Sequence, residues 1–324
     1  MPQPIEAPQG GAHPVTLFLG GDVMTGRGVD QILPHPSKPH LYESYVRSAM
    51  GYVELAEGAT GAIARPANFT YVWGDALAAI ARERPAARIV NLETAVTASE
   101  QAWPGKAIHY RMHPANVPCL TAAGLDCCVL ANNHVIDWGR SGLAETLATL
   151  RQAGLRTAGA GCDQVEAAAP APIALSGTSR VLVFGYGMES SGVPPEWAAT
   201  KDRSGVNLLR DLSARSVAAI AKQVGAHKQA GDIVVTSIHW GGNWGYEIST
   251  DERVFAQRLI DNAGVDVVHG HSAHHVKGIE VYHGRPILYG CGDFLNDYEG
   301  IGGYEAYRSD LALMYFPTLD AATG

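Results

Sequence analysis

Short apolar runs recur along the chain, and each gives way abruptly to polar residues. VTLFL (15–19) leads into GGDVMTGRG, RIVNL (88–92) into Glu93, and CCVLA (127–131) into NNHVID. Further on, IVVTSI (233–238) leads into His239, DVVHG (266–270) into HSAHH, and ILYGC (287–291) into GDF. Runs of about four to eight apolar residues, bounded by glycine and polar groups, predict strands buried on both faces.

Stretches of helical period lie between them. Over 141–153, Leu143, Leu147 and Leu150 share a face, with Ser141 as N-cap and Gly154 as stop. Over 251–263, Phe255, Leu259 and Ala263 recur every fourth residue before Gly264, and over 211–230 Val217, Ile220 and Val224 keep a similar period. Strands alternating with helices predict a layered α/β fold. Residues 34–75 break the alternation and read as an insertion with one helix and a long loop, of the kind that shapes clefts. YEGIGGYEAY (298–307) reads as a connecting loop and LALMYF (311–316) as a last strand. Residues 1–14, rich in Pro and Gly, read as a flexible leader, and 15–324 as a single domain.

Composition narrows the function. With 46% hydrophobic and 17% charged residues among 324, the chain is globular rather than disordered. A net charge of −8 argues against a basic nucleic-acid-binding surface. No apolar run approaches the ~20 residues that span a bilayer, and MPQPIEAPQGGAHP has no signal-peptide pattern, so no membrane partner is expected. The five cysteines are odd in number and lack zinc spacing, which fits a reducing, cytoplasmic setting. Of the 13 histidines, six lie between 239 and 283.

The candidate chemistry sits at the strand ends: Asp22, Glu93, Asn132/Asn133/His134, His239, His271/His274/His275 and Asp293. Loops after strand C-termini are where α/β sheets bind ligands. One such residue means little; the whole set predicts a metal or acid/base site.

The order of these motifs resembles the calcineurin-like metallophosphoesterase superfamily, and within it the CapA-type branch of poly-γ-glutamate capsule biosynthesis. The resemblance rests on GDVM (21–24), NLET (91–94), ANNHVID (131–137), HWG (239–241), GHSAHHVKG (270–278) and GDF (292–294). It implies a four-layer αββα sandwich with the site at the sheet edges. By that likeness Asp22 keeps the first motif's aspartate, while Met24 replaces its histidine, and a thioether is a poor ligand for hard cations. Glu93 takes the bridging carboxylate's place, Asn133 and His134 match the third motif, and His239 the fourth. His271 matches the fifth, whose second histidine is displaced to His274.

The resemblance therefore implies one divalent cation held by Glu93, Asn133, His239 and His271, with Ca, Mn, Mg and Zn not distinguished. It frees Asp22 and His274 for an acid/base pair, beside His134 with Asp137. Such pairs around a cation suit proton transfer at a carbon next to a carbonyl. Members of this branch linked to lasso-peptide biosynthesis act as peptide epimerases, and that activity, on a peptide substrate, is the main expectation. The alternatives are a metal-dependent hydrolase of a phosphoester or γ-glutamyl amide, or a protein of capsule poly-γ-glutamate biosynthesis. Arg27 and Arg111 are candidate carboxylate or phosphate binders, and Trp240 and Trp244 candidate apolar contacts for substrate.

Overall fold

The computed structural model describes residues 14–175, 177–308 and 310–320. The leader expected at 1–14 thus lies outside the described residues except for Pro14, which opens the first strand. In chain order the strands of the two main sheets are β1 (Pro14–Val23), β2 (Ala87–Leu92), β3 (Cys127–Val129) and β4 (Arg156–Ala158). They continue as β5 (Ala171–Ala174), β6 (Arg180–Gly187), β7 (Ile233–His239) and β8 (Val267–His271). The last are β9 (Ile279–Tyr282), β10 (Arg285–Leu288), β11 (Asp293–Leu295) and β12 (Thr318–Asp320). One sheet has the order β11-β1-β2-β3-β4, all parallel, with β12 antiparallel to the start of β1. The other runs β9-β10-β8-β7-β6-β5, its four central strands parallel and each edge strand antiparallel.

The apolar runs are continuous because each strand faces two cores. Leu17, Leu19, Ile89, Val129, Val183, Val235 and Val267 meet between the sheets. Their chain neighbours point outward, Phe18, Val90 and Cys128 under one helical layer and Phe184, Val234 and Val268 under the other. The helix Gly139–Gln152 covers the first sheet through Leu143, Leu147 and Leu150. Ala214–His227 and Thr250–Ala263 cover the second. The result is a four-layer αββα sandwich, as the resemblance implied.

Local chemistry sets the helix ends. Ser249 and Glu252 close a capping box and Gly264 ends that helix at φ 68°. Ser213 caps its helix through the Ser216 amide. The helix expected from Ser141 starts two residues earlier, after Trp138, with no side-chain cap. The insertion holds the helix Met50–Thr60 and a 3₁₀ turn at Tyr71–Trp73. The strand expected at 311–316 is corrected: only Tyr315 bridges to Leu19, and the antiparallel strand is Thr318–Asp320. Among the described residues no helix is long and apolar enough to cross a membrane.

Candidate metal centre

The C-terminal ends of β1, β2, β7 and β8 meet at one end of the sandwich, and sequence there becomes geometry. In β1 the register slips between Gly20, opposite Val90, and Asp22, opposite Asn91, which leaves Gly21 as the extra residue of a bulge. A Cβ on Gly21 would meet the Gly292 carbonyl at 1.8 Å, so only glycine fits. The bulge aims Asp22 inward. Its carboxylate accepts from Asn91 Nδ2 at 2.7 Å and from the Ser272 amide at 3.1 Å. Asn132 extends the chain, donating to Asn91 Oδ1 at 3.0 Å, and its own oxygen accepts from the His134 amide at 3.1 Å.

Glu93 follows β2 directly. Its Oε1 lies 3.9 Å from His239 Nε2 and 3.7 Å from His134 Nε2, while its buried Oε2 has no partner. Asn133 Oδ1 stands 3.2 Å from His239 Nε2. His239 and His271 end adjacent parallel strands in register, with their Nδ1 atoms 2.9 Å apart, and His271 Nδ1 is 3.7 Å from Asp22 Oδ1. Asp22, His239 and His271 offer ligand atoms within 4.8 Å of one another. The fold thus brings Glu93, Asn133, His239 and His271 together, and it adds Asp22.

The electrostatics ask for a cation. Burial, and then Asp293, push the Asp22 carboxyl up to about 7. Burial, Asp22 and Asp293 hold Glu93 well above the usual carboxylate range. Burial drives His239 and His271 well below the ordinary imidazole value, so both are neutral and able to ligate. Crowded carboxylates, an orphaned carboxylate oxygen and two neutral imidazoles fit a divalent ion. Glu93, Asn133, His239, His271 and Asp22 are the residues that would hold it.

The second group of candidates forms two dyads. His134 Nδ1 meets Asp137 Oδ2 at 2.6 Å. Asp137 also accepts from the Tyr110 amide and pairs with Lys106, whose Nζ contacts His134 Nδ1 at 3.1 Å and the Asn133 carbonyl as well. Burial outweighs the attraction of Asp137 and takes His134 down to about 4. Asp22 and His274 attract each other electrostatically, but the hydrogen-bond partner of His274 is Asp293. His274 Nδ1 binds Asp293 Oδ1 at 3.0 Å, and Asn296 holds the other Asp293 oxygen at 2.7 Å. Burial alone would depress His274, but Asp293 and Asp22 overcome it and raise the group.

Three of the four expected substrate contacts turn into the protein. Arg27 pairs with Asp297 at 2.5 Å and Glu43 at 3.0 Å, and its guanidinium lies 3.8 Å from the Tyr52 ring centre. Arg111 donates to the Ser99 and Lys38 carbonyls and stacks 3.9 Å over Trp138. Trp240 is buried under the second sheet, its indole N–H on the Tyr289 carbonyl. Trp244 stays at the rim, 5.4 Å from the His274 ring and stacked on Tyr304. Lys106 was missed as a site residue, and Asp293, a strand-end candidate, was not expected as the partner of His274. Lys106 carries no sequence signal, being a lone lysine in a loop.

Comparison with known proteins decides the family. The model described as "Bacterial capsule synthesis protein PGA_cap" matches residues 16–298. The chain belongs to this family. A "Probable polyglutamine synthesis accessory protein" of Mycobacterium tuberculosis is 52% identical over 311 residues, covering 96% of this chain and 82% of that protein. The "Capsule biosynthesis protein CapA" of Bacillus anthracis is 27% identical over 283 residues, 87% of this chain and 60% of that protein. The "PGA biosynthesis protein CapA" of Bacillus subtilis is 31% identical over 192 residues, 59% of this chain and 48% of that protein. These relatives are named for capsule and polymer synthesis, not for isomerisation. They overturn the expectation of a metal-dependent isomerase, with its peptide-epimerase and lasso-peptide role, and support the capsule alternative.

Proposed function

We propose that this chain is an accessory protein of capsule-type poly-glutamate synthesis, and that its strand-end cluster takes the carboxylate-bearing glutamyl chain through a bound divalent cation. The reading is carried by one observation: Arg27, Arg111 and Lys106 are already engaged by the protein. Arg27 is held by Asp297 and Glu43, Lys106 by Asp137, and Arg111 by backbone carbonyls. Asp22, Glu93 and Asp293 crowd carboxyl groups into the site, which offers a polyanion no receiving charge until a cation binds.

When bound, such an ion would neutralise the carboxylates and polarise an amide carbonyl of the chain. Glu93, Asn133, His239 and His271, with Asp22 beside them, would hold it. His134 lies on the Glu93 side, its ring oriented by Asp137 through Nδ1 and its Nε2 3.7 Å from Glu93 Oε1. A neutral imidazole held this way accepts or returns a proton at that nitrogen. Trp244 at the rim would supply apolar area against the chain's methylenes.

The test is isothermal titration of short γ-glutamyl oligomers into the whole protein, with Mn²⁺ and with chelator. Binding is expected with Mn²⁺ and is expected to disappear with chelator and in Glu93→Gln. Equal binding with and without the cation would overturn the proposal.

A further inference from the structure

Two tyrosines with no part in the site so far, Tyr110 and Tyr298, join its two histidine dyads. The backbone ties each to the carboxylate of its own dyad. The Tyr110 amide donates to Asp137 Oδ2 at 2.7 Å, and the Tyr298 amide donates at 3.0 Å to the side chain of Asn296, which in turn holds Asp293. The Tyr110 ring meets the His134 ring at 4.6 Å and the Tyr298 ring meets the His274 ring at 5.3 Å, both edge to face. The two hydroxyls stand 3.3 Å apart. One guanidinium serves both rings, Arg27 lying 4.4 Å from the ring centre of Tyr110 and 5.7 Å from that of Tyr298. A path of contacts thus runs from Asp137 and His134 through both phenols to His274 and Asp293.

A count of hydrogens shows what this pair lacks. Each hydroxyl has one hydrogen to give and lone pairs to accept with. Their mutual bond uses one of the two hydrogens, whichever tyrosine donates, and the other is left over. Among the described residues no other group accepts from either hydroxyl. The mutual bond is also long against the roughly 2.5–3.0 Å usual between hydroxyls, so it yields readily to a better acceptor. Tyr110 is buried and Tyr298 only partly exposed, and donors in such places are seldom left without a partner. Burial holds both phenols well above their ordinary value, so each keeps its hydrogen at neutral pH, while the Arg27 charge favours the phenolates and makes each a stronger donor. Tyr298 and Asp293 also line a cavity of about 560 Å³ together with Glu299 and Glu305. Those carboxylates disfavour a further anion beside Tyr298, so a neutral oxygen suits the donors best.

We propose that Tyr110 and Tyr298 form a donor pair for an amide carbonyl oxygen of the ligand, which takes the spare hydrogen and, on displacing the long mutual bond, the second as well. This deepens the glutamyl reading above and rests on it for the ligand, since each link of a γ-glutamyl chain brings one amide carbonyl. The tyrosines thereby recognise the links of the chain and not its charges.

The experiment uses the whole protein labelled with 3-fluorotyrosine and loaded with Zn²⁺, with the ¹⁹F resonances of Tyr110 and Tyr298 assigned from the Tyr110→Phe and Tyr298→Phe variants. Short γ-glutamyl oligomers should shift both resonances. Titration calorimetry should find oligomer affinity about three- to tenfold weaker in either variant, as loss of one neutral hydrogen bond predicts, with Zn²⁺ affinity at the wild-type value. Bound oligomer with both resonances unmoved, or wild-type oligomer affinity in both variants, would overturn the donor pair. A fall in Zn²⁺ affinity as large as the fall in oligomer affinity would overturn it too, because the tyrosines would then act through the metal centre. If the wild-type protein binds no Zn²⁺ or no oligomer, the reading above falls, and N-methylacetamide added to the unloaded protein decides: a shift at both resonances keeps the donor pair, and no shift defeats it.

Discussion

Arg27 sits at φ 47°, in the left-handed region that a non-glycine residue enters only when its surroundings hold it. Those surroundings are Asp297, Glu43 and the rings of Tyr52 and Tyr110, all gripping one buried guanidinium. Arg27 therefore ties the insertion to the loop after β11. Arg27→Met should lower unfolding stability by about 3–5 kcal/mol, because two buried carboxylates lose their counter-charge. A urea melt at pH 7 measures this, and a loss under about 1 kcal/mol would return Arg27 to the pool of ligand-binding candidates. At this scale sequence shows residue type and placement, not partners. Asp22, Glu93, Asn133 and His239 were legible because each ends or follows an apolar run. That His274 turns to Asp293, and that Lys106 reaches His134, depends on loops whose paths no periodicity records.

Whole elements were easier to read where two independent signals agreed. β7, β8 and the helix Thr250–Ala263 have an apolar pattern bounded by a stop or a cap, and they stand close to where the pattern put them. The misplaced strand at 311–316 has apolar residues but no sheet face to fill, since Leu311 and Leu313 are exposed. The helix expected from Ser141 shows the same lesson at a boundary, for packing of Trp138 and the Gly139 turn, not a hydroxyl cap, begins it. Ser249 is different, because its capping box starts the helix that follows the loop of Trp244. Ser249→Ala should cost about 0.5–2 kcal/mol and fray that first turn. Amide hydrogen exchange reads the effect: faster exchange at 251–253 is expected, and unchanged protection there would show that tertiary packing alone fixes the helix start.

At the scale of the molecule, the two sheets carry opposite contributions to one titration. The first sheet brings carboxylates whose pKa values burial and mutual repulsion raise, Asp22 to about 7 and Glu93 further than its ordinary value. The second brings His239 and His271, which burial keeps neutral well below the ordinary imidazole value. A cation entering between the sheets therefore competes with protons on the carboxylates and not with protons on the histidines. The sign follows from linkage: below about pH 7 the metal-free site holds a proton on Asp22 that the ion must displace, so affinity falls as pH falls. Between pH 5.5 and 6.5 the Mn²⁺ dissociation constant should rise by about tenfold per unit of acidification for each proton displaced, and the dependence from Asp22 should flatten above about pH 8. Titration calorimetry in buffers of differing ionisation enthalpy counts those protons directly. Asp22→Asn should lower the count by about one at pH 6. A wild-type affinity constant across pH 5.5–7.5 would mean that no ion sits among the raised carboxylates.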